Sequence, residues 1–178
     1  MASKRYDKTQ MGFSLIEILI SLLILSIGLL GLGGLQLSSL KGANNAHFRT
    51  VASLAATDLI DRMRANPLAV ANNQYTGALD ITHCDATLAK VCEAGNECSA
   101  EELAKYDLHR VNCGVTAGMY QTGGVQYDLP QAGLSVGCDV PPCTTGIEHL
   151  ISVSWNETDD NDANDDVQVR SYTLSFIP

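Results

Sequence analysis

The sequence predicts an α+β fold. One long N-terminal helix, membrane-spanning in its first half, packs through its second half on a small antiparallel sheet, and disulfides stabilise the head. Three observations predict it. No charge falls between Glu17 and Lys41, and the stretch between them is overwhelmingly Leu, Ile and Gly. Six cysteines, Cys84, Cys92, Cys98, Cys113, Cys138 and Cys143, all lie beyond that stretch. Residues 149–155 and 167–176, near the end of the chain, alternate in apolar character with the two-residue period of strands.

Charge gives the chain a direction. Lys4, Arg5 and Lys8 stand against Asp7 at the start, whereas from Asp80 onward 16 acids face 4 bases, a local net of −12. A basic start, an apolar span and an acidic body place the start in the cytoplasm and the body outside it by the positive-inside rule. An even set of cysteines confined to that body reads as disulfides in an oxidising compartment. The total net charge of −9 argues against a phosphate-binding surface, so nucleic acid is not an expected partner.

Residues 1–12 form a short basic leader. In an ordinary signal peptide the small-residue cleavage site follows the apolar region. Here the small residue, Gly12, precedes it, and cleavage after Gly12 would leave the apolar segment in place. Residues 13–37 would span roughly 37 Å as a helix, enough for a hydrocarbon core of about 30 Å. Gly28, Gly31, Gly33 and Gly34 suit close packing against like helices and mark a soft section.

The helical pattern runs on past the membrane. Val51, Leu54, Ala55, Leu59 and Met63 suit one face, and Arg49, Asp58, Asp61, Arg62 and Arg64 the other. Asp58 and Arg62 are an i,i+4 pair. Pro67 disfavours helix at Asn66, so the helix is expected over 13–65. Residues 68–98 read as a loop-rich connection. Ser99 and Glu102 form a capping box that starts a helix over about 100–111. Residues 149–155 and 167–176 read as a hairpin around an acidic loop, and 128–136, interrupted by Pro130, as a further edge strand. The organisation expected is a leader at 1–12, a transmembrane helix at 13–40, its amphipathic continuation at 41–66 and a head at 67–178.

Glu17 is the residue that needs explaining. A carboxylate at membrane depth costs several kcal/mol unless paired or protonated. Cleavage after Gly12 would create an α-amino group at Phe13, and the new terminus of one subunit could meet Glu17 of its neighbour. At these residues a resemblance is specific. Gly12-Phe13-Ser14-Leu15-Ile16-Glu17 before an apolar helix resembles the class III signal of type IV pilins and pseudopilins. The resemblance implies a pilin-like fold, cleavage after Gly12 by a prepilin peptidase, N-methylation of Phe13, and an assembly role for Glu17. It implies a subunit of the inner membrane with a periplasmic head, later a subunit of a surface fibre. Expected partners are major and minor pilins, the prepilin peptidase, the inner-membrane pilus assembly machinery and membrane lipid.

Ile27-Gly28-Leu29-Leu30-Gly31-Leu32, Arg62-Met63-Arg64-Ala65-Asn66-Pro67 and Cys98-Ser99-Ala100-Glu101-Glu102-Leu103-Ala104 are similar to a narrower group, the minor pilins of the type IV pilus modification type. The resemblance implies a subunit that primes pilus assembly. The cysteine-rich 84–113 region and the acidic loop depart from that pattern. Two other readings stand beside it: a pseudopilin of a type II secretion system, and a bitopic membrane-anchored periplasmic binding protein.

The remaining constellations are weaker. His83 with Cys84, Cys92, Cys98 and Cys113 lacks the paired knuckle of a structural zinc site. Six cysteines allow 15 pairings; Pro141-Pro142 favours a local Cys138–Cys143 bridge. Asp160, Asp162 and Asn164 open like a calcium loop, but Asp165 stands where glycine is needed and Ser171 where glutamate is needed. No nucleophile elbow, P-loop or dinucleotide fingerprint occurs, and His47, His83, His109 and His149 lie in unrelated contexts. No enzyme activity and no cofactor are expected.

Overall fold

The computed structural model describes residues 12–85, 88, 90–93, 95–117, 120–158 and 167–178. Its contacts divide the chain into two units, one ending at Asn44 and the other Asn45–Pro178. A single helix, α1 (Leu15–Ala65), enters both. It starts two residues later than the sequence suggests and ends at the expected place.

In the first unit α1 is apolar on every side. Leu15, Ile16, Leu19, Leu23, Ile27, Leu30 and Leu35 are all exposed. Its polar side chains fold back onto the helix: the Ser21 hydroxyl donates to the Glu17 carbonyl at 2.7 Å and Ser26 to Leu22 at 2.7 Å. Such bonds remove the need for water around a hydroxyl in an apolar setting. The helix is continuous through Gly28, Gly31, Gly33 and Gly34.

In the second unit α1 becomes one-sided. Ala52, Ala56, Leu59, Ile60 and Met63 are buried, a stripe at helical spacing. Leu54, expected on that face, is 66% exposed instead. It lies two residues from Ala52 and Ala56, so a rotation of about 100° per residue carries it to the opposite side. The small Ala52 and Ala56 let the helix approach the sheet closely.

The sheet has the order β1-β4-β5-β6, antiparallel throughout, built from β1 (Gly77–Leu79), β4 (Gly133–Cys138), β5 (His149–Thr158) and β6 (Val167–Phe176). Register places apolar rows on the helix-facing side. Leu134 pairs with Val153 and Val153 with Tyr172; Val136 pairs with Ile151 and Ile151 with Leu174. The core joins these rows to the α1 stripe, with Tyr75, Trp155 and Phe176 as its largest rings. Phe176 lies 5.6 Å from the buried His149 ring, and the Arg64 guanidinium of α1 sits over the Phe176 ring, 5.5 Å from its centroid. This cation–π stack holds the end of the chain to the helix.

Two expectations for the connecting region need correction. Residues 68–98 contain elements: α2 (Pro67–Ala71), opened by proline at its first position, then β1, then a 3-10 turn at Ile81–Cys84 capped by Asp80. The strand expected over 128–136 is β4, and it is interior, paired on both sides. Pro130 does not belong to it, because α4 (Val125–Asp128) and a turn absorb the proline before the strand begins. The helix from Ser99 is α3 (Ala100–Cys113), and both halves of its capping box form.

A small hairpin, β2 (Val115–Ala117) with β3 (Tyr120–Thr122), follows α3. Its base is closed by Gly114 and Gly124, both with positive φ. A Cβ on Gly114 would stand 2.2 Å from the Gly123 carbonyl oxygen, and one on Gly124 2.2 Å from the Gly114 nitrogen. Only glycine permits that backbone approach. Beside it Asn112, fully buried, donates to the Asp80 carbonyl at 3.0 Å and accepts from Gln126 at 2.9 Å.

All six cysteines are paired: Cys84–Cys113, Cys92–Cys98 and Cys138–Cys143. That removes the thiolates a zinc site would use. Cys84–Cys113, separated by 29 residues, ties the 3-10 turn to the end of α3. The others close short loops of separation 6 and 5. Loop closure in the unfolded chain predicts the largest effect for the long bridge. Replacing Cys84 and Cys113 together by serine should cost about 3 kcal/mol in urea unfolding. Losses for the two short bridges should be smaller. Six free thiols in mass spectrometry of the unreduced protein would contradict the pairing.

Candidate assembly site

The residues singled out by sequence lie together at the start of α1. Gly12 and Phe13 precede the helix, and Phe13 is 81% exposed. The Ser14 carbonyl accepts from the Glu17 amide at 3.1 Å and the Ile18 amide at 3.3 Å, which makes Ser14 the residue from which the helix departs. Glu17 therefore falls in the first turn, where the unpaired amides favour a negative charge. Its carboxylate is exposed and makes no ion pair among the described residues.

That carboxylate and its surroundings define the chemistry. The helix around it satisfies its own backbone polar groups and presents apolar side chains in every direction. Such a surface is covered by lipid or by other apolar helices. Either cover leaves Glu17 in need of a cation or a proton. One 18-residue window of α1 has a mean hydropathy of 2.6, with none of it buried inside the chain.

In the second unit a polar knot ties the end of α1 to the head. Arg62 donates from Nε to Asp58 at 3.0 Å and from Nη1 to Asp107 on α3 at 3.1 Å. Asp107 is only 6% exposed and also accepts from the Tyr75 hydroxyl at 2.7 Å. Asn66 donates from Nδ2 to Tyr75 at 3.2 Å and to the Ala100 carbonyl at 2.8 Å. Burial, reinforced by the hydrogen bond to Asp107, raises the Tyr75 pKa well above its usual range. Burial works against the Arg62 charge, but the hydrogen bonds to Asp58 and Asp107 outweigh it and raise its pKa. The sequence marked only Asp58 and Arg62; nothing local signals Asp107, 45 residues away.

The calcium candidates Asp160, Asp162 and Asn164 lie outside the described residues. Among the described residues no three His, Cys, Asp or Glu side chains converge as metal ligands. His83 caps the 3-10 turn, its Nδ1 accepting from the Asp80 backbone amide at 3.1 Å. His109 is held below its usual pKa by burial and by the neighbouring Arg110 charge.

The chain thus combines a helix long and apolar enough to cross a membrane with an α+β head that carries three disulfides. The sequence matches the prokaryotic N-terminal methylation motif over residues 8–33 and the family described as Type IV pilin Tt1218 over residues 34–109. Over these two adjoining stretches the chain is similar to type IV pilins and to their methylation motif, which supports reading it as a type IV pilin subunit. No curated protein and no solved structure matches the chain.

Removing one member of the knot should be costly. Asp107→Ala leaves a half-buried guanidinium and a buried hydroxyl short of an acceptor, a loss of about 3–5 kcal/mol in urea unfolding. The raised Tyr75 pKa means the folded state holds that proton more tightly than the unfolded chain. Its contribution is complete below about pH 10 and is lost as pH rises through the higher folded value. The alkaline decline in stability should be shallower in Tyr75→Phe.

Proposed function

We propose that the chain is a minor pilin of a type IV pilus, of the PilV kind, which primes or takes part in fibre assembly. The observation that carries this is Glu17, without an ion pair among the described residues, in the first turn of a helix whose large apolar side chains from Leu15 to Leu40 are exposed. Residues 1–12 are the leader, removed by a prepilin peptidase, and Phe13 becomes the N-methylated terminus. Residues 13–40 hold the subunit in the inner membrane with the head in the periplasm. On assembly they leave lipid for a bundle of neighbouring helices, and the α-amino group of one Phe13 neutralises Glu17 of the next subunit. The narrower PilV assignment rests on the segments at 27–32, 62–67 and 98–104. The methylation motif also suits a pseudopilin of a type II secretion system, and pilus or secretion genes beside this one separate the two.

Glu17→Ala should leave membrane insertion and cleavage intact but lower recovery in sheared fibres by about tenfold or more, since a buried charge pair is lost. Gly12→Leu should block processing and leave Met1 as the terminus. Immunoblots of membrane and fibre fractions, with N-terminal mass spectrometry, read both. Wild-type levels of both variants in fibres would overturn the mechanism. An unprocessed terminus in the wild type would favour a bitopic anchored binding protein.

A further inference from the structure

The helix-facing side of the sheet changes character at one end. Ile151, Val153, Leu174 and Phe176 give way to a row that pairs Trp155 with Arg170, and then to one that pairs Glu157 with Gln168. α1 adds Arg49, one turn before Ser53, whose hydroxyl donates to the Tyr172 phenol at 3.3 Å. Arg49, Trp155, Val169, Arg170, Ser171 and Tyr172 line a recess of roughly 360 Å³.

Two arginines stand in its lining. Among the described residues Glu157, 7% exposed, meets Arg170 Nε at 3.1 Å, so that carboxylate is already engaged. Arg49 is exposed and has no ion pair or hydrogen bond among the described residues. Trp155 is 2% exposed, and its indole N–H is buried without an acceptor among those residues. Buried donors are almost always satisfied, so an orphan in the wall of a cationic recess points to an acceptor that the described chain does not supply. The guanidinium fork of arginine matches a carboxylate.

We propose that this recess takes a carboxylate side chain from an acidic segment of a neighbouring subunit, with the Arg49 guanidinium as its ion-pair partner. The choice of occupant follows from charge: the body beyond Asp80 has 16 acids against 4 bases, so an acidic face is what subunits of this kind present to one another. The neighbour rests on the pilin reading; the anion preference rests on the lining alone.

Trp155 is the single tryptophan, so its fluorescence reports on the recess. The full chain in detergent micelles is titrated with a hexaglutamate peptide, with hexaglutamine and with glutarate. Hexaglutamate should give a saturable change that weakens with salt, hexaglutamine none, and Arg49→Gln should weaken the response about tenfold with an unchanged melting temperature. No response to hexaglutamate, or an undiminished response in Arg49→Gln, overturns the site. Glutarate acting as well as the peptide overturns the subunit as occupant and makes a small free carboxylate the ligand. None of these readings depends on cleavage or fibre assembly, so failure here leaves the pilin reading standing, and the reverse holds as well.

Discussion

One helix has to satisfy two different surroundings. From Asn45 onward α1 meets its own sheet, so it needs one apolar stripe and can carry Asp58, Asp61, Arg62 and Arg64 elsewhere. Before that point its large apolar side chains are exposed, so it carries apolar side chains all round and hydroxyls bonded back to its own carbonyls. The rest of the structure depends on where that change falls. The head is small and has room for one layer of sheet against the helix. Its core therefore needs the small Ala52 and Ala56, the large Trp155 and Tyr75, and three disulfides in the segments that strands do not secure. Small domains commonly need such covalent support.

Legibility in the sequence followed the range of the interaction. The long helix, the Ser99 capping box and the terminal hairpin are local patterns, and they form where the residues say they should. The Cys138–Cys143 bridge was readable for the same reason, with two prolines turning the chain between its ends. Pro130 misled because its distance from Gly133 is small in sequence, while the turn after α4 confines its effect to the residues before the strand. β1 is three residues long and contains a glycine, too short for any period to show.

The candidate assembly site was legible as a motif, since Gly12, Phe13 and Glu17 are near neighbours in the chain. The polar knot was not. Arg62 looked like half of a helical pair with Asp58, whereas its better-buried partner is Asp107, brought in by α3. Leu54 was misplaced because alanine counts as apolar in a pattern, and two buried alanines shift the stripe away from the larger leucine. The recess around Arg49 is likewise invisible in sequence: it exists only because β5 and β6 register Trp155 against Arg170 on the side that faces the helix.

The knot at the end of α1 has a mechanical side. Arg62, Met63, Arg64 and Asn66 are the last points at which the helix end is fastened to the head, through Asp107, the core, the Phe176 ring and the Ala100 carbonyl. A pull along the helix is resisted there by a salt bridge, two hydrogen bonds and a packed methionine strained together in shear, rather than one after another. Because α3 is itself anchored by Cys84–Cys113, the load passes from a non-covalent clamp into a covalent one within a single helix length.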